Sequence, residues 1–130
     1  FYRDGKVYLT YSGGSANSYT YAVGLLSADE KDDLLDLASW EKNLWPVLSF
    51  YSVEGEYGPG HNAFFYSEDG ELMISYHAET SPDSTLRCDG IRRIHFRKDG
   101  SPVFGMSFQE DVNGEVSDVK MKIIIKVQAE

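Results

Sequence analysis

His61 and Asn62 stand side by side after the run Tyr57-Gly58-Pro59-Gly60 and just before Ala63-Phe64-Phe65-Tyr66. An imidazole can carry protons near neutral pH or ligate a metal, and a carboxamide both donates and accepts hydrogen bonds. The pair suits a polar binding site. The glycines and proline bring the backbone through a restricted approach, and the aromatic run that follows is rich in strand formers. The stretch reads as a loop delivering His61 and Asn62 to the mouth of a buried strand. A glycine-rich turn beside a hydrogen-bonded histidine is the plainer alternative, and the local pattern leaves both open. Other chemistry is thinly represented. His61, His77 and His95 have no zinc-like spacing. The acidic residues Asp29, Glu30, Asp32 and Asp33 lack the spacing of a calcium loop and read as a solvated face. Cys88, the single cysteine, cannot form an internal disulfide and is expected to be a small buried hydrophobe.

The elements that must hold these residues are short strands. The chain has 130 residues, enough for one domain with a real core. Twelve Lys and Arg stand against 21 Asp and Glu, a net charge of −9 that repels phosphate backbones, so nucleic acid is not an expected partner. No apolar run is long enough to span a bilayer, so neither is a membrane. The chain opens on Phe1-Tyr2-Arg3 without a methionine, and the start is expected to cut through an element.

Alternation and turn residues predict strands over Lys6–Ser12, Tyr19–Leu26, Leu44–Phe50, Ala63–Ser67, Glu71–Ala78, Ile91–Phe96 and Pro102–Met106. An amphipathic strand follows over Val119–Val127. Between Ser27 and Asn43 the pattern fits either a short helix or an ordered loop that pins Trp40 onto a sheet. A repeat ties the strands together. Placing Asp4-Gly5 on Asp69-Gly70 aligns Val7, Leu9 and Tyr11 with Leu72, Ile74 and Tyr76, and each copy ends in a Pro-Val strand, at Pro46-Val47 and Pro102-Val103. Repeated sets of about four short antiparallel strands describe propeller blades. The expected fold is all-β, about two antiparallel four-stranded blades. The first covers residues 1–56 with its first strand mostly missing, the second covers 57–107, and a closing or edge strand covers 117–128. Val7, Leu9, Tyr11, Leu72, Ile74 and Tyr76 are expected to be buried between layers.

Several runs carry a resemblance. Gly5-Lys6-Val7-Tyr8-Leu9-Thr10-Tyr11-Ser12-Gly13, Val23-Gly24-Leu25-Leu26-Ser27-Ala28-Asp29 and Ala38-Ser39-Trp40-Glu41-Lys42 come first. Tyr57-Gly58-Pro59-Gly60-His61-Asn62, Tyr76-His77-Ala78 and Asp99-Gly100-Ser101-Pro102-Val103-Phe104-Gly105 complete them. In this order they resemble the carboxyl-terminal part of glycoside hydrolase family 43. These are five-bladed propeller enzymes that remove arabinose or xylose from plant polysaccharides. The wording is most similar to the exo-acting α-L-arabinofuranosidase branch, with β-xylosidase as the neighbouring possibility.

The resemblance implies hydrolysis with inversion, by a general base that activates water and a general acid that protonates the leaving oxygen. The two carboxylates would stand roughly 6.5–9.5 Å apart. In the family the base and a third, tuning carboxylate lie in earlier blades. The acid lies in a Glu-Gly-Pro motif ahead of the strand that ends at Phe1-Tyr2. None matches a position here, and Glu54-Gly55 lacks the proline, so no catalytic residue is expected in this chain. His61 matches the family histidine at the central channel, which implies a central metal ion, commonly calcium, met directly or through water. Arg87 matches an arginine that reaches the sugar pocket, although the family's Asn-Arg-His-Thr-Arg run stands here as Leu86-Arg87-Cys88-Asp89-Gly90. Arg87 and Asn62 are thus the candidate sugar contacts and His61 the candidate metal contact. His77 and His95 are expected to serve structure. The implied partners are an arabinose- or xylose-containing oligosaccharide and either the upstream part of the propeller or a second copy of the chain. A non-catalytic carbohydrate-binding or structural propeller, or an unrelated β-rich binding domain, would share many of the same features.

Overall fold

Asp4 and Gly5 both adopt positive φ, 50° and 82°. That is the mirror-image turn whose twist matches two antiparallel strands, and it joins β1 (Tyr2–Arg3) to β2 (Lys6–Gly13). The computed structural model describes residues 1–84 and 86–106. Antiparallel pairing continues from β2 to β3 (Ala22–Asp29) and on to β4 (Glu41–Lys42), giving a first sheet in the order β1-β2-β3-β4. The second sheet is β5 (Tyr57–Tyr66), β6 (Leu72–Glu79) and β7 (Arg87–Arg93), also antiparallel and in sequence order. Past Ile94 the chain adds β8 (His95–Phe96), paired with β9 (Pro102–Val103). Among the described residues the one helical element is a 3-10 turn at Leu37–Ser39. The all-β expectation holds.

The core lies between the two sheets. Tyr8, Val23 and Leu25 of the first sheet, with Leu48 beyond it, meet Leu72, Ile74, Tyr76 and Ala78 of β6. Side chains two apart on a strand share a face, which is why 72, 74, 76 and 78 act together. Aromatic rings close one side of this seam. Phe1 stacks on Tyr8 at 4.8 Å between centroids and meets Phe64 edge-on at 4.9 Å.

The repeat is right about facing but wrong about burial in the first sheet. Leu72, Ile74 and Tyr76 are buried, as expected. Val7 and Tyr11 are only half-buried and Leu9 is 47% exposed, whereas Tyr8 on the opposite face is buried. Equivalent positions in two stacked sheets point the same way. The 72-74-76 face therefore rests on the first sheet, and the 7-9-11 face points away from the second.

Element boundaries differ where turn chemistry competes with alternation. Ser18 to Tyr21 form a turn, with the Tyr21 amide on the Ser18 carbonyl, so β3 starts at Ala22 and not Tyr19. The Leu44–Phe50 strand reduces to one bridge between Val23 and Leu48. Pro46 has no N–H to donate there, and the chain turns at once through Ser49–Ser52. The residues between Ser27 and Asn43 form the ordered loop, in which Trp40 Nε1 donates to the Leu34 carbonyl at 3.0 Å. β5 begins at Tyr57, well ahead of Ala63, while β7 stops at Arg93 and β9 ends at Val103. Cys88 is exposed, not buried, because it lies on β7, which among the described residues has a neighbour on one side only. The strand over Val119–Val127 and the 117–128 segment lie outside the described residues.

Candidate functional site

The Gly58-Pro59-Gly60 run is set by how near the first sheet's loop comes. Gly58 has φ +56° and its amide donates to the Tyr19 carbonyl at 2.9 Å. A Cβ there would stand 2.8 Å from the Ser18 carbonyl oxygen, backbone that cannot step aside. The ring of Tyr21 fills the space a side chain on Gly60 would need. Pro59 between them is fully buried. β5 thus enters pressed against the Ser18–Tyr21 turn, and its pairing with β6 shifts register on both sides of Gly60. Such bulges re-aim side chains.

What is re-aimed is His61. It takes φ +50°, a left-handed conformation that costs a non-glycine residue about 1–2 kcal/mol. Its amide donates to Ser12 Oγ at 2.8 Å, and Asn62 Nδ2 donates to Thr10 Oγ1 at 2.7 Å. Ser12 and Thr10 alternate with Tyr11 on β2 and so face the second sheet. Two hydroxyls of the first sheet therefore fix the backbone of one candidate residue and the side chain of the other. The His61 side chain is exposed and Asn62 half-buried.

Two further residues join this end of the seam. The His77 ring lies edge-on to His61 and stacks on Tyr21, with 5.9 Å between centroids in each case. Its Nε2 is buried and makes no hydrogen bond among the described residues. Burial first, then the nearby Arg87 and His61, push the His77 pKa down from the ordinary histidine value. Arg87, at the start of β7 and itself exposed, reaches across to the first sheet, where Nη2 donates to the Ala16 carbonyl at 2.5 Å. The structure thus gathers His61, Asn62 and Arg87 at one end of the interface between the sheets. It adds Tyr21 and His77, the latter expected only to serve structure. Tyr21 could have been found from its place after the Gly13-Gly14 loop. Its pairing with Gly60 has no sequence signal.

A second polar cluster lies deeper. The Tyr76 hydroxyl donates to Glu56 Oε2 at 2.5 Å and accepts from Arg92 Nε at 2.8 Å, while Arg92 Nη2 contacts Glu56 Oε1 at 3.3 Å. Burial and then the Glu56 hydrogen bond raise the Tyr76 pKa well above the tyrosine range, so the phenol stays protonated. All three groups are mutually satisfied, which suits a structural clasp.

The chemistry available at the His61 end is orientation by hydrogen bonds. Among the described residues, no three His, Cys, Asp or Glu side chains come together as a metal site. A calcium ion needs six to eight oxygen ligands. Among the described residues this end presents the exposed His61 imidazole without a cluster of carboxylates beside it. A groove of about 780 Å³ lies elsewhere, bordered by Trp45, Tyr51, Pro102 and Phe104, and holds none of the candidate residues. No helix among the described residues is long and apolar enough to cross a membrane.

Known proteins share this sequence and this arrangement. An extracellular exo-alpha-(1->5)-L-arabinofuranosidase of Streptomyces avermitilis is 39% identical over 116 residues, covering 83% of this chain and 24% of that protein. Alpha-L-arabinofuranosidase B of Pyricularia oryzae is 36% identical over 112 residues, 80% of this chain and 23% of that protein. The crystal structure of an alpha-L-arabinofuranosidase from Lactobacillus brevis superposes with a TM-score of 0.72 at 37% identity, over 81% of this chain and 34% of that one. A thermostable family-43 glycoside hydrolase superposes at 0.66 with 32% identity, over 91% of this chain and 37% of that one. The chain spans about a quarter of the length of the curated relatives it matches. Its two sheets are therefore blades of a β-propeller. The pattern of the glycosyl hydrolases family 43 matches residues 1–102, and the chain belongs to that family.

Proposed function

We propose that this chain is part of an exo-acting α-L-arabinofuranosidase that removes terminal arabinofuranosyl residues from plant polysaccharides with inversion. In this reading the chain builds one wall of the sugar pocket. The general acid, general base and tuning carboxylate come from parts of the protein outside these 130 residues. The observation that carries the reading is the identity of 36–39% to two named arabinofuranosidases over about four-fifths of the chain.

Each candidate residue then has a binding role and none transfers a proton. Asn62 donates through Nδ2 to Thr10, which leaves its carbonyl oxygen to accept a sugar hydroxyl. Arg87 spends one N–H on Ala16 and has further donors in its planar fork for sugar hydroxyls. His61 presents its ring toward the channel and would meet a hydrated calcium ion there only through water. Inversion follows when the base-activated water attacks the face opposite the leaving oxygen.

The test is turnover by the complete protein on nitrophenyl α-L-arabinofuranoside and nitrophenyl β-D-xyloside, with the product anomer followed by NMR. The expected result is preference for the arabinofuranoside and an inverted product, with no turnover by residues 1–130 alone. Preference for the xyloside would move the assignment to β-xylosidase. Sugar binding without turnover by the complete protein would make it a non-catalytic propeller.

A further inference from the structure

Tyr11 and Tyr76 hold the same position in the two blades. Each stands on the second strand of its sheet, opposite a glycine of the third, Gly24 and Gly90. Each ring lies where a side chain on that glycine would be. In the second blade the arrangement is complete. Tyr76 donates to Glu56, Arg92 donates to Tyr76, and Glu56 comes from the segment entering the blade, one residue ahead of β5.

In the first blade the tyrosine and a cation are present without the acid. Lys42 Nζ lies 5.4 Å from the centre of the Tyr11 ring. Among the described residues the Tyr11 hydroxyl makes no hydrogen bond and Lys42 no ion pair. Around them is a hollow of about 280 Å³ bordered by Gly24, Leu44 and Trp45. The face that carries it, Val7, Leu9 and Tyr11, is the counterpart of the Leu72-Ile74-Tyr76 face, which rests on the first blade in this structure.

On the propeller architecture this face carries the preceding blade of the same protein, and we propose that the segment entering the first blade sets a carboxylate on the Tyr11 hydroxyl beside Lys42. The inference rests on the chain being part of a longer propeller, and not on its sugar or its turnover. A phenol donating to a carboxylate with a cation alongside is a charge-assisted contact, as Tyr76 makes with Glu56 and Arg92. The chain's own repeat thus supplies the template. A second copy fits less well, because a two-fold contact of this face on itself brings one Lys42 toward the other.

The test uses the complete protein. A zero-length carbodiimide joins an amine to a carboxylate in contact with it, and peptide mass spectrometry identifies the pair. Lys42 is expected to be linked to an Asp or Glu outside residues 1–130 of the same polypeptide, and to resist acetylation. A link to another copy, detected by mixing isotope-labelled and unlabelled protein, overturns the proposal. So does a Lys42 that stays unlinked and acetylates freely. In parallel, Tyr11→Phe and Tyr76→Phe, both nearly isosteric, are each expected to lower Tm by about 2–4 °C. A drop for Tyr76→Phe with none for Tyr11→Phe also overturns it. Loss or gain of arabinofuranosidase turnover bears on the proposed function and leaves these readings untouched.

Discussion

The Tyr21 ring occupies the space beside Gly60 that any larger residue would need. A first-blade aromatic therefore takes the place of a side chain in the strand that carries His61 and Asn62. The same ring stacks on His77, so one tyrosine sets both the approach of β5 and the seat of the imidazole behind His61.

Enlarging either glycine of the Gly58-Pro59-Gly60 run is expected to be costly. Gly60→Ala overpacks against Tyr21 and should destabilise the complete protein by about 1–3 kcal/mol. Gly58→Ala should cost more, since it meets the Ser18 carbonyl at 2.8 Å and must hold φ +56°. Urea denaturation checks this, and a Gly58→Ala variant as stable as the parent would contradict the packing described.

Replacing His61 separates strain from function. His61→Gly relieves a left-handed backbone that His61→Ala retains, so the glycine variant should be more stable than the alanine one by about 1 kcal/mol. Both should lose turnover on arabinofuranosides relative to the parent, because the imidazole is gone in each. Equal Tm values for the two would argue that φ +50° is unstrained, and full turnover in both would remove His61 from the pocket.

Tyr76→Phe deletes the shared hydroxyl of the Glu56–Tyr76–Arg92 clasp and should cost about 1 kcal/mol at neutral pH. The raised Tyr76 pKa also has a sign. In the unfolded chain the phenol ionises near pH 10, whereas the folded one stays protonated. The stability it contributes is whole below about pH 10 and declines above it. Tyr76→Phe should flatten that alkaline decline in thermal melts between about pH 9 and 11, and an unchanged slope would count against the clasp.

His77 gives the opposite limb. Its folded pKa is lowered, chiefly by burial, while the unfolded histidine takes a proton near pH 6.5. Its contribution is therefore present above about pH 6.5 and is lost as pH falls through the folded value. Melts of His77→Gln from about pH 7.5 to 5 should show a shallower acid-side loss than the parent. His61, Arg87, Glu79 and Asp89 stand around the ring, so His61→Gln in the same series serves as the neighbouring-residue control.

The strand alternation, the Asp-Gly turns, the repeat that sets Val7-Leu9-Tyr11 on Leu72-Ile74-Tyr76, and the Gly58-Pro59-Gly60-His61-Asn62 run were all legible in the residues themselves. Each is a local or periodic property: side-chain alternation, a φ preference, a fixed offset between copies. They sufficed for an all-β chain of blade-like sheets and for two residues of the site. Burial was not of that kind. Leu9 and Ile74 have the same pattern and the same facing, yet one is half in solvent and the other sealed, because among the described residues only one has a sheet against it. The left-handed turn at His61, the reach of Arg87 to Ala16 across 71 positions and the Glu56–Tyr76–Arg92 clasp were likewise decided by packing. Each joins groups far apart in the chain, and only the stacking of one sheet on another brings such groups within hydrogen-bond distance.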